Sequence, residues 1–497
     1  MAEMVATDAG DVRGVRTDGG VRYHAIPYAA PPMGRRRFLP PEPHPGWAGV
    51  LDATRAGPAP AQRPGLLPEG SLNEDCLRLT VTTPALDSAR RPVLVWLPIG
   101  GFTMGGADMR PYVTGRLAVL GDVVVVMVDS RLGALGYLDL SRSGGDAWGA
   151  ASNLGLRDMV LALGWVKRNI ERFGGDPDNV TIGGQSAAAT AVHSLCSMPS
   201  AGGLFHRAIQ HSSGHGAYYG SADAADAIAS AMLSELGIAP EQSRRLQEVP
   251  LSALYDAHPR ALRRSVRSHG PMATFCPVVD GDVVPQLPLN AIDQGCMATV
   301  PLLAGVNLDE AIPFTARREP PLSSGELERR VASILGRHRD RAHSIIETYR
   351  RDASRRSDTD VWIAIATDYH NRVPLIRLAE AHSRHSAGTR MFLMAWRCPE
   401  TAAAHHGLEL PLLFGCPEQA SAAPEARGVS EQIIAAWSSF MRGEAAAVGL
   451  PWPAYDAERR ATLRVGVEAT IDDAPLEPER AVWQGLDQAW SDFAHGR

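Results

Sequence analysis

Lysine is nearly absent from this chain of 497 residues: Lys167 is the only one, and the rest of the 49 Lys and Arg residues are arginine. The bias is that of a GC-rich genome, so Arg35–Arg36–Arg37 and Arg263–Arg264 read as solvated surface rather than phosphate grips. Neither sign of charge dominates. The net charge of −6 argues against nucleic acid or an anionic membrane as a partner. No run approaches the roughly 18 apolar residues of a membrane-spanning helix, and the longest, around Val123–Val128, has the length of a buried strand. Met1–Gly10 lacks the basic region and apolar core of a secretory signal. The six cysteines (76, 196, 276, 296, 398 and 416) include no close pair, which excludes the usual zinc and dithiol patterns and suggests reduced thiols in a cytosolic protein. Internal repeats and low-complexity linkers are also missing.

With 45% hydrophobic and 21% charged residues, the chain can bury a large core. Length alone allows about two to four domains, but no linker divides the chain. The expectation is one domain over 1–497. Turn signals crowd the first third, at Asp18–Gly20, Pro31–Gly34, Pro40–Pro41 and Pro58–Pro68, with a short strand over Val21–Ile26. Pro92–Leu97 and Asp122–Val128 are continuous apolar runs, as in strands buried on both faces of a parallel sheet. Leu156, Val160, Leu163, Val166 and Ile170 recur at helical spacing within Gly155–Phe173, and Gly174–Gly175 stop that helix. A strand over Val180–Gly183 follows. Further strands are predicted at Val300–Val306 and Met391–Trp396, and helices at Ser221–Leu236, Ser324–Arg351 and Val429–Arg442; Asp352–Asp358 reads as a loop. Strands alternating with helices indicate an α/β fold with a mostly parallel sheet.

The sharpest local signal is Gly184–Gln185–Ser186–Ala187–Ala188, between the Val180–Gly183 strand and an alanine-rich helix start. A serine on a tight strand-to-helix turn stands exposed at the sheet edge, and small neighbours let the strained backbone pass. Ala188 occupies the last position of the G-x-S-x-G pattern, an added methyl that the turn should tolerate.

Around this serine the chain resembles the type-B carboxylesterase family, which includes bacterial para-nitrobenzyl esterases and the cholinesterases. The likeness rests on Ile26–Gly34 (IPYAAPPMG), Asn73–Leu77 (NEDCL), Gly100–Phe102 (GGF), Asn169–Thr181 (NIERFGGDPDNVT) and Leu204–Ala208 (LFHRA). It continues through Pro277–Gly281 (PVVDG), Gly305–Glu310 (GVNLDE), His406–Leu410 (HGLEL) and Pro451–Pro453 (PWP), and so spans nearly the whole chain. The resemblance implies an α/β-hydrolase fold, a mostly parallel central sheet flanked by helices, with helical cap insertions within 215–275 and 315–385. It also implies a catalytic serine, glutamate and histidine in that order, here Ser186, Glu310 and His406. A histidine suits the base because its ordinary pKa is about 6.5, and a carboxylate on its other ring nitrogen fixes the tautomer. His405 and Asp309 are the rival base and acid; the HGLEL and GVNLDE blocks favour His406 and Glu310. Oxyanion-hole donors are expected at Ala187, after the nucleophile, and at Gly100 and Gly101, with Phe102 as a pocket wall.

The implied activity is hydrolysis of neutral small-molecule esters through an acyl-enzyme, without metal or cofactor, nucleic acid or membrane partner, and with the oligomeric state left open. The same triad serves acyl transfer, lactone opening or cyclisation in related chemistry, and some members of the fold are non-catalytic binding proteins. Three departures from the family pattern stand out. Pro98–Ile99 replaces the histidine or tyrosine and first glycine of the oxyanion loop, and a β-branched residue tolerates positive φ poorly. Cys76 has no earlier cysteine to pair with, because the preceding block reads Gly57–Gln62 (GPAPAQ). Gln185 stands where relatives most often carry glutamate, removing a negative charge beside the nucleophile. Little preference for choline esters over isosteric neutral esters is therefore predicted; a large choline preference in paired kinetic assays contradicts it.

Overall fold

The computed structural model describes residues 3–486, apart from 66, 68, 114, 144–147, 215–218, 270–273, 316–320 and 356. Parts of the run Pro58–Pro68, of the loop Asp352–Asp358 and of both expected cap segments therefore lie outside the described residues. Thirteen strands form the main sheet: β1 (Glu3–Ala6), β2 (Asp11–Thr17), β3 (Gly20–Pro27), β4 (Val50–Asp52), β5 (Arg78–Thr83), β6 (Arg91–Leu97), β7 (Val124–Val128), β8 (Gly175–Gln185), β9 (Arg207–His211), β10 (Leu302–Asn307), β11 (Thr389–Met394), β12 (Ala461–Val465) and β13 (Thr470–Asp473). They lie in the order β1-β2-β3-β5-β7-β6-β8-β9-β10-β11-β12-β13, with β4 beside β2. From β7 to β12 every neighbouring pair is parallel; the flanking pairs β3–β5 and β12–β13 are antiparallel.

Each central strand is apolar on both faces because each face carries its own layer of helices. Val93, Val95 and Leu97 of β6 pack into one core with Leu156, Met159 and Leu163 of helix α1 (Leu154–Asn169). The alternate residues Leu94 and Trp96 enter a second core with Val429, Ile433 and Trp437 of helix Glu425–Arg442. That is the period-two alternation of a strand buried on both sides. A third core, including Leu327, Val331, Ile345, Tyr349 and Trp483, joins the helices of 324–367.

Strand order places the site. The chain runs from β6 outward to β7, then crosses back to β8 on the other side of β6. Neighbouring strands whose connections leave in opposite directions open a crevice at their C-terminal ends, where α/β proteins bind ligands. Here that crevice lies beyond Leu97 and Gln185.

The helix expected over Ser324–Arg351 is two helices, Ser324–Leu335 and Ala342–Arg350, joined by a 3₁₀ segment. Gly336 sits at φ +54°, ψ −114°, and His338 leaves helical geometry, so the ladder breaks between them. Helices Leu251–His269, Asp358–Thr367 and Val373–Ser383 were not among the predicted elements. The expected strand at Val180–Gly183 extends over Gly175–Gln185, with a register irregularity between Gly175 and Val180. Among the described residues no helix is long and apolar enough to cross a membrane.

Just beyond β7, Arg131 is anchored to α1. Its Nε and Nη2 donate to Asp158 at 2.9 and 2.6 Å, its backbone N–H donates to the same carboxylate at 3.0 Å, and both side chains are buried. Arg131→Met leaves the Asp158 charge unpaired in the core. It should cost about 3–5 kcal/mol in denaturant unfolding, and adding Asp158→Leu should recover most of that loss. A loss below about 1 kcal/mol for the single variant contradicts this.

Candidate active site

Ser186 is the one residue between β8 and helix α2 (Ala187–Ser197), at φ +61°, ψ −128°. This conformation is uncommon for any side-chain-bearing residue, and local packing holds it there. A Cβ on Gly184 would lie 2.6 Å from the Ala188 carbonyl carbon, and one on Gly183 would lie 2.7 Å from the Trp96 ring. The Ser186 N–H donates to His211 O at 2.9 Å, tying the turn to β9. Ala188 fits in the first turn of α2, buried, because its contact at position 184 is a glycine.

Glu310 lies three residues beyond β10 and is fully buried. Its carboxylate accepts three short bonds: from Ser212 Oγ at 2.5 Å, from the Asn307 N–H at 2.6 Å, and from His406 Nδ1 at 2.5 Å. His406 arrives on the loop after β11, its side chain 13% exposed. Burial alone would lower its pKa; the charge and hydrogen bond of Glu310, with Glu409 behind, outweigh this and raise it above the ordinary histidine value. The rivals are engaged elsewhere. Asp309 accepts both Arg397 Nε at 2.9 Å and the Ala404 N–H at 2.9 Å, while His405 Nδ1 lies 3.1 Å from the His406 carbonyl oxygen.

Gln185 links the serine turn and the imidazole. Its amide nitrogen lies 3.2 Å from His406 Nδ1 and 3.1 Å from Nε2. The two ring lone pairs diverge, so a group equidistant from both nitrogens sits across the ring rather than along either lone pair. Among the described residues Ser186 Oγ makes no hydrogen bond with His406.

Facing the turn is the loop after β6. Positive φ falls on Gly100 (+142°), Gly101 (+63°) and Phe102 (+60°), and Ile99 has none. The isoleucine is therefore accommodated: the left-handed positions begin one residue later. Gly100 has no alternative, since a Cβ there would lie 1.8 Å from Met104 O. Gln62 clamps the far side, accepting from the Gly105 N–H at 2.8 Å and donating to Gly105 O at 2.7 Å. Among the described residues the N–H groups of Gly100, Gly101 and Ala187 donate to no protein acceptor. The Phe102 ring packs 4.8 Å from Tyr137 and lines a cavity that also touches Ala187.

Several residues at the site carried no signal of their own in the sequence. Ser212, at φ +54° just beyond β9, orients Glu310, and Asn371 Nδ2 donates to the Ser212 carbonyl oxygen at 2.9 Å. Asn307 serves two buried acids: its backbone N–H reaches Glu310, and its amide donates to Glu409 at 2.5 Å. Burial pushes the Glu409 carboxyl up, but His211 and Asn307 together bring it below the usual range. Phe314, 73% exposed, places its ring 5.3 Å from that of His406. Asn307 lies inside the GVNLDE block and Glu409 inside HGLEL, so the block pattern held them without distinguishing their roles. All six cysteines are free thiols, and among the described residues no group of three His, Cys, Asp or Glu side chains is arranged to hold a metal ion.

A serine on a strained strand-to-helix turn, at the C-terminal edge of a mostly parallel sheet, is the α/β-hydrolase arrangement. The Carboxylesterase family model matches residues 1–483. The chain is 34% identical to the para-nitrobenzyl esterase of Bacillus subtilis (strain 168), covering 96% of this chain and 98% of that one. It is 31% identical to the phenmedipham hydrolase of Pseudarthrobacter oxydans, over 93% and 94% of the two chains. A Geobacillus stearothermophilus carboxylesterase structure superposes with a TM-score of 0.85 at 35% identity, over 97% of this chain and all (100%) of that one. The chain belongs to the carboxylesterase family, as a serine carboxylesterase.

The imidazole should titrate accordingly. In ¹⁵N-histidine NMR, His406 is predicted to lose its proton above pH 6.5, and Glu310→Gln should move that midpoint downward by removing the charge that raises it. An unchanged midpoint in the variant contradicts the assigned cause.

Proposed function

We propose that Ser186, His406 and Glu310 act as a catalytic triad that hydrolyses carboxylic esters of neutral small molecules through an acyl-enzyme. The observation that carries this is the buried Glu310 carboxylate bonded at 2.5 Å to Nδ1 of His406, whose ring also meets Gln185, the residue before Ser186. A serine hydroxyl is a poor nucleophile near neutral pH and needs a base. With Nδ1 held by Glu310, Nε2 is the free acceptor: it takes the Ser186 proton as Oγ attacks the ester carbonyl and returns it to the leaving alcohol. Water then repeats the attack on the acyl-enzyme, giving the acid and free Ser186. The negative charge formed on the former carbonyl oxygen is met by the N–H groups of Gly100, Gly101 and Ala187, which have no competing protein acceptor. Catalytic hydrogen bonds are often long or misaligned before substrate binds. The Gln185 amide across the ring is the contact that must shift as Oγ and Nε2 come together.

The same proposal has one domain over 1–497, with cap helices within 215–275 and 315–385, acting without a cofactor in a reducing cytoplasm. The mostly buried free thiols, Cys76 among them, fit that compartment.

Hydrolysis of para-nitrophenyl esters of increasing acyl length tests the reading together with a fluorophosphonate probe. The wild-type protein should turn over the esters and label stoichiometrically, while Ser186→Ala should lose labelling and at least about 10⁴-fold in kcat. Labelling that survives in Ser186→Ala contradicts the assignment.

A further inference from the structure

Beside the serine turn lies a small cavity of about 30 Å³, walled by Phe102, Val128, Leu132 and Met159 and touching Ala187. That is room for roughly two or three waters, or one short group. Most of the wall is apolar, yet two buried hydrogen-bonding side chains line it, Asp129 and Ser130.

Tyr137 adds its ring to the wall, its hydroxyl being sealed off against Gly155. Asp129, just past the end of β7, accepts one N–H among the described residues, from Ala107 to Oδ1 at 2.8 Å. Burial pushes its carboxyl well above the usual range, with Asp108 adding to the rise against the Ala107 bond. A carboxyl accepts hydrogen bonds, and a serine hydroxyl both donates and accepts. Buried polar groups left without partners cost free energy, so the cavity favours an occupant that bonds to them. It disfavours a plain alkyl group, which desolvates them without return. A charged end gives up its hydration in the mostly apolar wall.

We propose that this cavity is a polar subsite of the esterase, taking a short, uncharged, hydroxyl-bearing end of the substrate held by Asp129 and Ser130. The proposal rests on ester hydrolysis at Ser186 and adds a substrate class to it. Hydroxylated esters are then selected over alkyl esters of the same size, through bonds that the alkyl analogue cannot make.

Isosteric pairs that exchange CH₃ for OH test both arms of the ester. On the acyl arm, the p-nitrophenyl esters of 3-hydroxypropanoate and butanoate are compared. On the alcohol arm, the butanoate monoester of ethane-1,2-diol is compared with propyl butanoate in a pH-stat. Each rate is corrected for the ester's own hydroxide-catalysed rate. On one arm the hydroxylated ester should show a kcat/KM higher by about tenfold or more. Ser130→Ala should lower that ratio several-fold. Equal or greater kcat/KM for the alkyl ester on both arms overturns the proposal, as does a ratio unchanged in a folded variant. Should the variant fail to fold, the wild-type ratios alone decide. Turnover of the alkyl esters and fluorophosphonate labelling of Ser186 in the same preparations keep failure of the subsite separate from failure of the hydrolase reading.

Discussion

The Glu310 carboxylate is the constraint on which the site turns. A charge with no exposure to water is tolerated only when paired and hydrogen-bonded. Its three donors come from three places: Ser212 beyond β9, Asn307 at the end of β10, and His406 on the loop after β11. Satisfying one buried charge therefore fixes the ends of three adjacent parallel strands relative to one another. Asn307 extends the arrangement inward to Glu409, whose other oxygen lies 3.4 Å from His211 Nδ1; Trp437 donates to the second nitrogen of that ring at 2.7 Å. A floor of paired polar groups thus lies under the imidazole, and its net charge holds the ring more basic than in water.

Ser186 obeys a different constraint, that of space. Strand, turn and helix must pass within backbone contact, so Gly184 admits no side chain, and the strain of the turn falls on Ser186 itself. The loop after β6 repeats the logic at Gly100, whose missing Cβ leaves room for Met104 O. Topology joins the two halves. The sheet reverses its winding between β6 and β8, so the glycine loop and the serine turn face each other across one crevice, and Glu310 and His406 come from the strands beyond β8.

Much of this was legible in the sequence. The continuous apolar runs became the central strands, and the GQSAA turn lay where strand met helix. The family blocks favoured His406 over His405 and Glu310 over Asp309, and His406 and Glu310 are the pair that share a hydrogen bond. The effect of Ile99 was left open, because sequence alone could not say that left-handed backbone begins at Gly100. The helix over 324–351 was read as continuous, since a single glycine does not reveal whether it bends the chain. Ser212, Asn371 and Phe314 act through contacts across 98, 159 and 92 residues of chain respectively, the last being the difference between positions 314 and 406. Nothing local in the sequence marks such partners. The polar wall formed by Asp129 and Ser130 was equally hidden, because only packing shows that both side chains line one cavity.

If hydroxyl, imidazole and carboxylate work as one unit, removing a second member after the first should cost almost nothing. A double-mutant cycle on kcat for a p-nitrophenyl ester, using Ser186→Ala and His406→Ala, measures this directly. The predicted result is a double variant within a few-fold of the slower single variant. Losses that multiply would mean that the two residues act independently, and would contradict the account.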